Sequence, residues 1–186
     1  MNATHLWLAV GGGLGLAGVV WALAITVAHL RAGRRHPPPL STLAHRHHRA
    51  RKLAQAGDHA EAERHYRHLR TAQLRVLGTD HVTAVHTQHQ LARSLARQGK
   101  YHQAELEYRS SLAARVRLLG PDHMSVFVAR LQIARMLLMQ GKLDESEAEY
   151  RALLADQTRA LGPDHPDTQF TRDALAKMTR LSRRSA

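Results

Sequence analysis

Gly99-Lys-Tyr-His-Gln-Ala-Glu-Leu-Glu-Tyr-Arg-Ser-Ser-Leu-Ala-Ala-Arg-Val-Arg-Leu-Leu-Gly-Pro-Asp-His123 decides the fold of this 186-residue chain, because its landmarks stand again 42 residues earlier and 42 residues later. Gly57, Gly99 and Gly141 align, as do Tyr66, Tyr108 and Tyr150. Leu77-Gly78-Thr79-Asp80-His81, Leu119-Gly120-Pro121-Asp122-His123 and Leu161-Gly162-Pro163-Asp164-His165 align in the same register. A constant period over three copies predicts a solenoid, in which each unit buries its apolar face against its neighbours. Function is then expected on a repeated surface.

Within the period, the pattern is helical. Val82, Val85, Leu91, Ala92, Leu95 and Ala96 have the three-and-four spacing of one buried helix face. Asp80 or His81 is placed to cap its start and Gly99 to stop it. Ala104, Tyr108, Leu112, Val116 and Leu119 mark a second helix before Gly120-Pro121. Each unit therefore predicts one antiparallel helical hairpin, with helices near 41–56, 59–77, 82–98, 101–119, 124–140, 143–161 and 166–181. The fold class is all-α: three hairpins over 41–78, 79–120 and 121–162, then an unpaired capping helix within 163–181.

Leu91-Ala-Arg-Ser-Leu-Ala-Arg-Gln-Gly-Lys-Tyr-His-Gln-Ala-Glu-Leu-Glu-Tyr108 resembles a tetratricopeptide repeat. The 42-residue period with its Leu-Gly-Pro-Asp-His connector is similar to the variety found in kinesin light chains and in many bacterial repeat proteins. The likeness spans residues 41–181. Elementary physics agrees: the glycine ends the first helix where a side chain is expected to obstruct the turn, the alanine lets two helices approach, and the tyrosine supplies bulk between hairpins. The three tyrosines read as structural.

The resemblance implies a concave groove, lined by the first helix of each hairpin, that binds a partner protein or peptide. Carried over by position, its columns are Ala44, His47, Arg51 and Gln55; His86, His89, Arg93 and Arg97; Val128, Leu131, Arg135 and Met139; and Phe170, Asp173, Lys177 and Leu181. One column is uniformly basic: Arg51, Arg93, Arg135 and Lys177. Such a ladder suits an acidic segment, with Val128, Leu131 and Met139 as apolar anchors. The competing explanation is compositional, since the chain has 23 Arg and 4 Lys and arginine fills exposed positions generally. The chaperone-gripping carboxylate clamp of this fold is not matched, because no groove position is Asn.

Outside the repeats, Leu6–Leu30 is an apolar run of 25 residues without a formally charged side chain. At about 1.5 Å per residue it exceeds the roughly 30 Å hydrocarbon core of a bilayer, which predicts a membrane-spanning helix over 1–30. Met1–His5 contains no Lys or Arg, unlike the basic start of a cleaved signal peptide. A basic, proline-containing linker follows over 31–40. Its Arg31, Arg34 and Arg35 are expected at anionic headgroups and, by the positive-inside rule, place the C-terminal domain in the cytoplasm of a single-pass cell-membrane protein. Gly11 and Gly15 offer a small-residue face for a homodimer.

The charge of +12 sits at the ends. Residues 31–52 hold seven bases and no acid, whereas 58–172 are nearly balanced, with 16 bases to 14 acids; the tail 182–186 is again basic. The rival function is therefore an accessory protein that binds nucleic acid or anionic lipid through its basic ends, although no nucleic-acid reading module accompanies them. The chain has no cysteine and 15 histidines. His45/His48, His65/His68 and His86/His89 have helical ligand spacing, but a stable site needs further ligands and a supporting shell, and no motif such as His-Glu-x-x-His appears, so no metal site is assigned. The histidines instead suggest a groove that charges modestly near neutral pH. Glu61, Glu63, Glu105, Glu107, Glu145, Glu147 and Glu149 read as solvated, paired to bases three or four residues away. No catalytic residue and no cofactor is assigned, and an enzyme is not expected.

Overall fold

The structure, a computed structural model, describes residues 40–185, with side chains over 41–180. The expected membrane span, the basic linker with Arg31, Arg34 and Arg35, and the side chain of Leu181 lie outside the described residues. Among the described residues, no helix is long and apolar enough to cross a membrane.

Seven α-helices and no strands make up this part of the chain: α1 Leu40–Gln55, α2 His59–Leu77, α3 Val82–Arg97, α4 Tyr101–Leu119, α5 Met124–Met139, α6 Leu143–Leu161 and α7 Pro166–Ser185. Each packs chiefly against its neighbours in sequence, as a solenoid requires. The first helices stop a residue earlier than the hydrophobic pattern suggested, and α7 runs on to Ser185 rather than ending at 181.

The connector motif has a specific job. Nδ1 of His81 accepts a hydrogen bond from the Thr83 amide at 3.2 Å, and Nδ1 of His123 accepts from the Ser125 amide at 3.1 Å. His165 repeats the contact with the Asp167 amide at 3.2 Å. Of the two candidates in the first connector, His81 rather than Asp80 is thus the N-cap, satisfying one of the amides a helix start leaves unpaired. Asp80 and Asp122 turn outward and each meets an arginine 37 residues later, Arg117 and Arg159, both at 2.6 Å.

Gly99 is required for a different reason from the one the sequence suggested. A Cβ built there meets nothing within 4 Å, so no obstruction exists. The backbone instead sits at φ +77°, a left-handed conformation that costs little only for glycine.

Packing between helices relies on small residues at fixed register. Ala50, Ala92 and Ala134, 42 apart on the first helices, are fully buried, as are Ala62 and Ala104 on the second. The next copy of that second position is Ser146, whose hydroxyl donates to the Ala134 carbonyl at 2.8 Å and so stays satisfied in the core. Tyr66, Tyr108 and Tyr150 are buried between hairpins, where they join Leu91, Leu95, Ile133, Leu137 and Met178 in two adjoining apolar clusters.

Two glutamates contradict the solvated reading. Glu63 and Glu105 are 3% and 5% exposed. Glu63 accepts from Gln98 Nε2 at 2.7 Å and from Lys100 Nζ at 2.9 Å, both on the following hairpin. Glu105 accepts from Gln140 at 2.8 Å, with Lys142 at 3.6 Å. Burial alone would raise both carboxyls. The hydrogen bonds from the next hairpin, with Arg67 and Arg109 nearby, outweigh it and hold both below the ordinary carboxylate range. These carboxylates are struts between repeats.

Candidate functional site

The first helices α3, α5 and α7 present side chains one turn apart to a shared concavity of about 850 Å³. His89, Arg93 and Arg97 of α3, Arg135 and Met139 of α5, and Phe170, Asp173 and Lys177 of α7 line it. A smaller cavity of about 260 Å³ lies between α1 and α3, lined by His47, Arg51, Tyr66, His86 and Arg93. Arg93 borders both, so Arg51, Arg93, Arg135 and Lys177 follow one another along a single face.

Val128 and Leu131 fall outside these two cavities. They border a cleft of about 20 Å³ with Met124 and Phe170. Leu131 is half-buried against the cluster of Ala134, Tyr150 and Met178, whereas Val128 is 42% exposed. Met139 and Phe170, 53% and 50% exposed, are the most exposed apolar side chains of the groove lining.

Ion pairing is denser on the second helices than along the ladder, although Arg75 and Arg115 of those helices have no carboxylate partner among the described residues. Arg64, Arg67, Arg70, Arg109, Arg117, Arg151 and Arg159 of the second helices and Lys100 and Lys142 of the turns are all ion-paired. Arg130, facing α6, holds Glu149 and Asp156 at 2.8 and 2.5 Å. Among the described residues, no carboxylate pairs with Arg51, Arg93, Arg97, Arg135 or Lys177. All five are exposed, and Asp173 is the sole acid that shares their cavity.

Each repeat tyrosine sits beneath the ladder. Burial raises the Tyr66 phenol, opposed by Arg93 and Arg51, and pushes the Tyr108 phenol up to about 12, opposed by Arg93, Arg135, Arg97 and Arg115. Burial likewise raises Tyr150, opposed by Arg135. The hydroxyl of Tyr66 is buried with no hydrogen-bond partner among the described residues. A tyrosine ring that reads as structural thus carries its hydroxyl, a neutral donor, to the floor of the groove.

The histidines do not charge this face near neutral pH. Burial, reinforced by the charges of Arg115, His86 and Arg93, lowers His89 to about 4, and its ring lies edge-on to Tyr108 at 5.1 Å. Burial lowers His47 and His86 as well, and their rings approach to 5.4 Å. Among the described residues, no group of three or more metal-ligating side chains gathers.

The profile of the tetratricopeptide repeat family matches residues 41–115 and 86–151. Among the solved structures similar to this chain are two of one repeat protein. A Podosopora anserina kinesin-light-chain protein with nearly identical TPR-like repeats, in a single-substitution variant, superposes with a TM-score of 0.72 at 22% identity, over 90% of this chain and 80% of that one. The unsubstituted protein gives a TM-score of 0.63 at 25% identity, over 77% and 67%. A comparison with curated proteins gives no match.

Proposed function

Because the chain belongs to the tetratricopeptide repeat family, a family of protein–protein interaction modules, we propose that it is a membrane-anchored scaffold or assembly factor. Its concave groove would hold an acidic segment of a partner protein. One observation carries this reading: five exposed cations along the groove have no carboxylate partner among the described residues, with Asp173 the one acid in its lining, while most bases of the second helices are ion-paired. Unpaired cations on a concave face raise the local concentration of an anionic partner and fix its register. Met139 and Phe170 supply the apolar anchors from which most affinity comes, a role that passes to them from Val128 and Leu131.

The anchor is the apolar segment Leu6–Leu30, followed by Arg31, Arg34 and Arg35. That asymmetry supports a cytoplasmic repeat domain on a single-pass cell-membrane protein. A reporter fused after Ala186 should be active on the cytoplasmic side, and activity on the opposite side would reverse the topology.

The groove is tested by changing Arg51, Arg93 and Arg135 together to Glu. Partner recovery from solubilised membranes should be lost at unchanged helix content, and undiminished recovery would sink the reading. Binding through the basic ends alone predicts instead a steep fall with log salt and indifference to Arg93→Glu and Arg135→Glu without the change at Arg51.

A further inference from the structure

We propose that the outward face of α1 is a second interaction surface and lies against the anionic headgroups of the bilayer. The inference rests on the membrane anchor read above. As the first helix of the solenoid, α1 packs its inner side, with Leu43 and Ala50 buried, chiefly on α2. The opposite stripe, at three-and-four spacing, is His45, His48, Arg49 and Lys52, with Arg46 beside it, all exposed. No acid occurs in α1 or anywhere over residues 31–52. Among the described residues no carboxylate pairs with Arg46, Arg49 or Lys52, whereas within α2, α4 and α6 bases pair with acids one turn back: Arg67 with Glu63, Arg109 with Glu105, Arg151 with Glu147. The helix at the other end differs, since α7 mixes Asp167 and Asp173 with its bases.

Lipid is the occupant because of what adjoins this face. The stripe continues the basic run of Arg31, Arg34 and Arg35, which directly follows the apolar segment. Nine residues, 31–39, separate the apolar segment from α1, a reach of at most about 32 Å for a fully extended chain, so α1 is tethered to the anchor by a short span. The helix contains no Phe, Tyr or Trp to stack a nucleic-acid base. Each cation near an anionic surface multiplies the docked population by about fivefold.

The absence of native cysteine makes the test direct. Ser41→Cys, on this face, and Asp164→Cys, on the turn before α7, are each labelled with a fluorophore in the full chain. The chain is placed in vesicles of phosphatidylcholine, alone or with phosphatidylserine, carrying a headgroup-level quencher. Quenching at position 41 should require phosphatidylserine, be absent at 164, and fall by about 25-fold in docked population with Arg49→Gln and Lys52→Gln together. These two exposed, unpaired positions tolerate Gln without loss of fold, which circular dichroism checks. Equal quenching on both lipids, or quenching unaffected by the double change, overturns the proposal. Binding of a single-stranded oligonucleotide that the same change abolishes overturns it in favour of nucleic acid. Failure of the chain to float with neutral vesicles overturns the anchor itself, a separate readout.

Discussion

Lys100 reaches across a hairpin boundary to the buried carboxylate of Glu63, with Nζ 2.9 Å from Oε2. The matching pair one repeat later, Lys142 and Glu105, is looser at 3.6 Å. A double-mutant cycle with Glu63→Gln and Lys100→Met should therefore give a coupling of about 0.5–1 kcal/mol, discounted for the exposed lysine. The cycle at Glu105 and Lys142 should give less. Urea unfolding of the four variants in each cycle checks this, and a reversed order would show that these contacts do not set the strength of the repeat boundary.

Gly99 distinguishes backbone conformation from crowding. With φ at +77° and open space around the missing Cβ, Gly99→Ala should cost about 1 kcal/mol. Gly99→Asn should cost less, because asparagine tolerates the left-handed region better than alanine. If crowding governed the site, the larger asparagine would be the worse of the two in thermal melts.

Acid sensitivity follows from His89. Its folded value of about 4 lies below the ordinary 6.5, so between those values the unfolded chain binds more protons and stability drops as pH falls through the window. His89→Leu, which copies Leu131 at the matching position of the next repeat, should flatten the stability–pH curve between about 6.5 and 4 by ~3 kcal/mol. Glu63 and Glu105 have lowered values, and their contribution is lost only at lower pH, below the ordinary carboxylate value. That acid limb should survive the substitution. Chemical denaturation over a pH series checks both parts.

The repeat was legible because its signals are local and periodic. Gly57, Gly99 and Gly141 mark where first helices stop, and Ala50, Ala92 and Ala134 recur at one buried register. The cap was legible only as a choice between Asp80 and His81, since either side chain can accept an amide and only the backbone turn selects the imidazole. The struts were not legible from helical spacing. Glu63 has Arg67 one turn away, which suggests a surface pair, but its burying partners Gln98 and Lys100 are 35 and 37 residues on. Comparing that offset across copies, Glu63 with Lys100 and Glu105 with Lys142, would have found them. The ladder was legible as a column, whereas the lack of acidic partners depends on how neighbouring helices turn their carboxylates. Leu131 was assigned to the groove by position, yet the packing of α7 draws it toward Met178.

The central claim is that the partner lies along Arg93, Arg135 and Met139. Photocrosslinking in native membranes tests it most directly, with the crosslinker placed at Met139 in the groove or at Leu106, which is 54% exposed on α4 and outside the groove lining. The account predicts a discrete adduct from Met139 that disappears with Arg93→Glu and Arg135→Glu, and none from Leu106. An adduct from Leu106 alone, or one from Met139 that persists through both reversals, would contradict it.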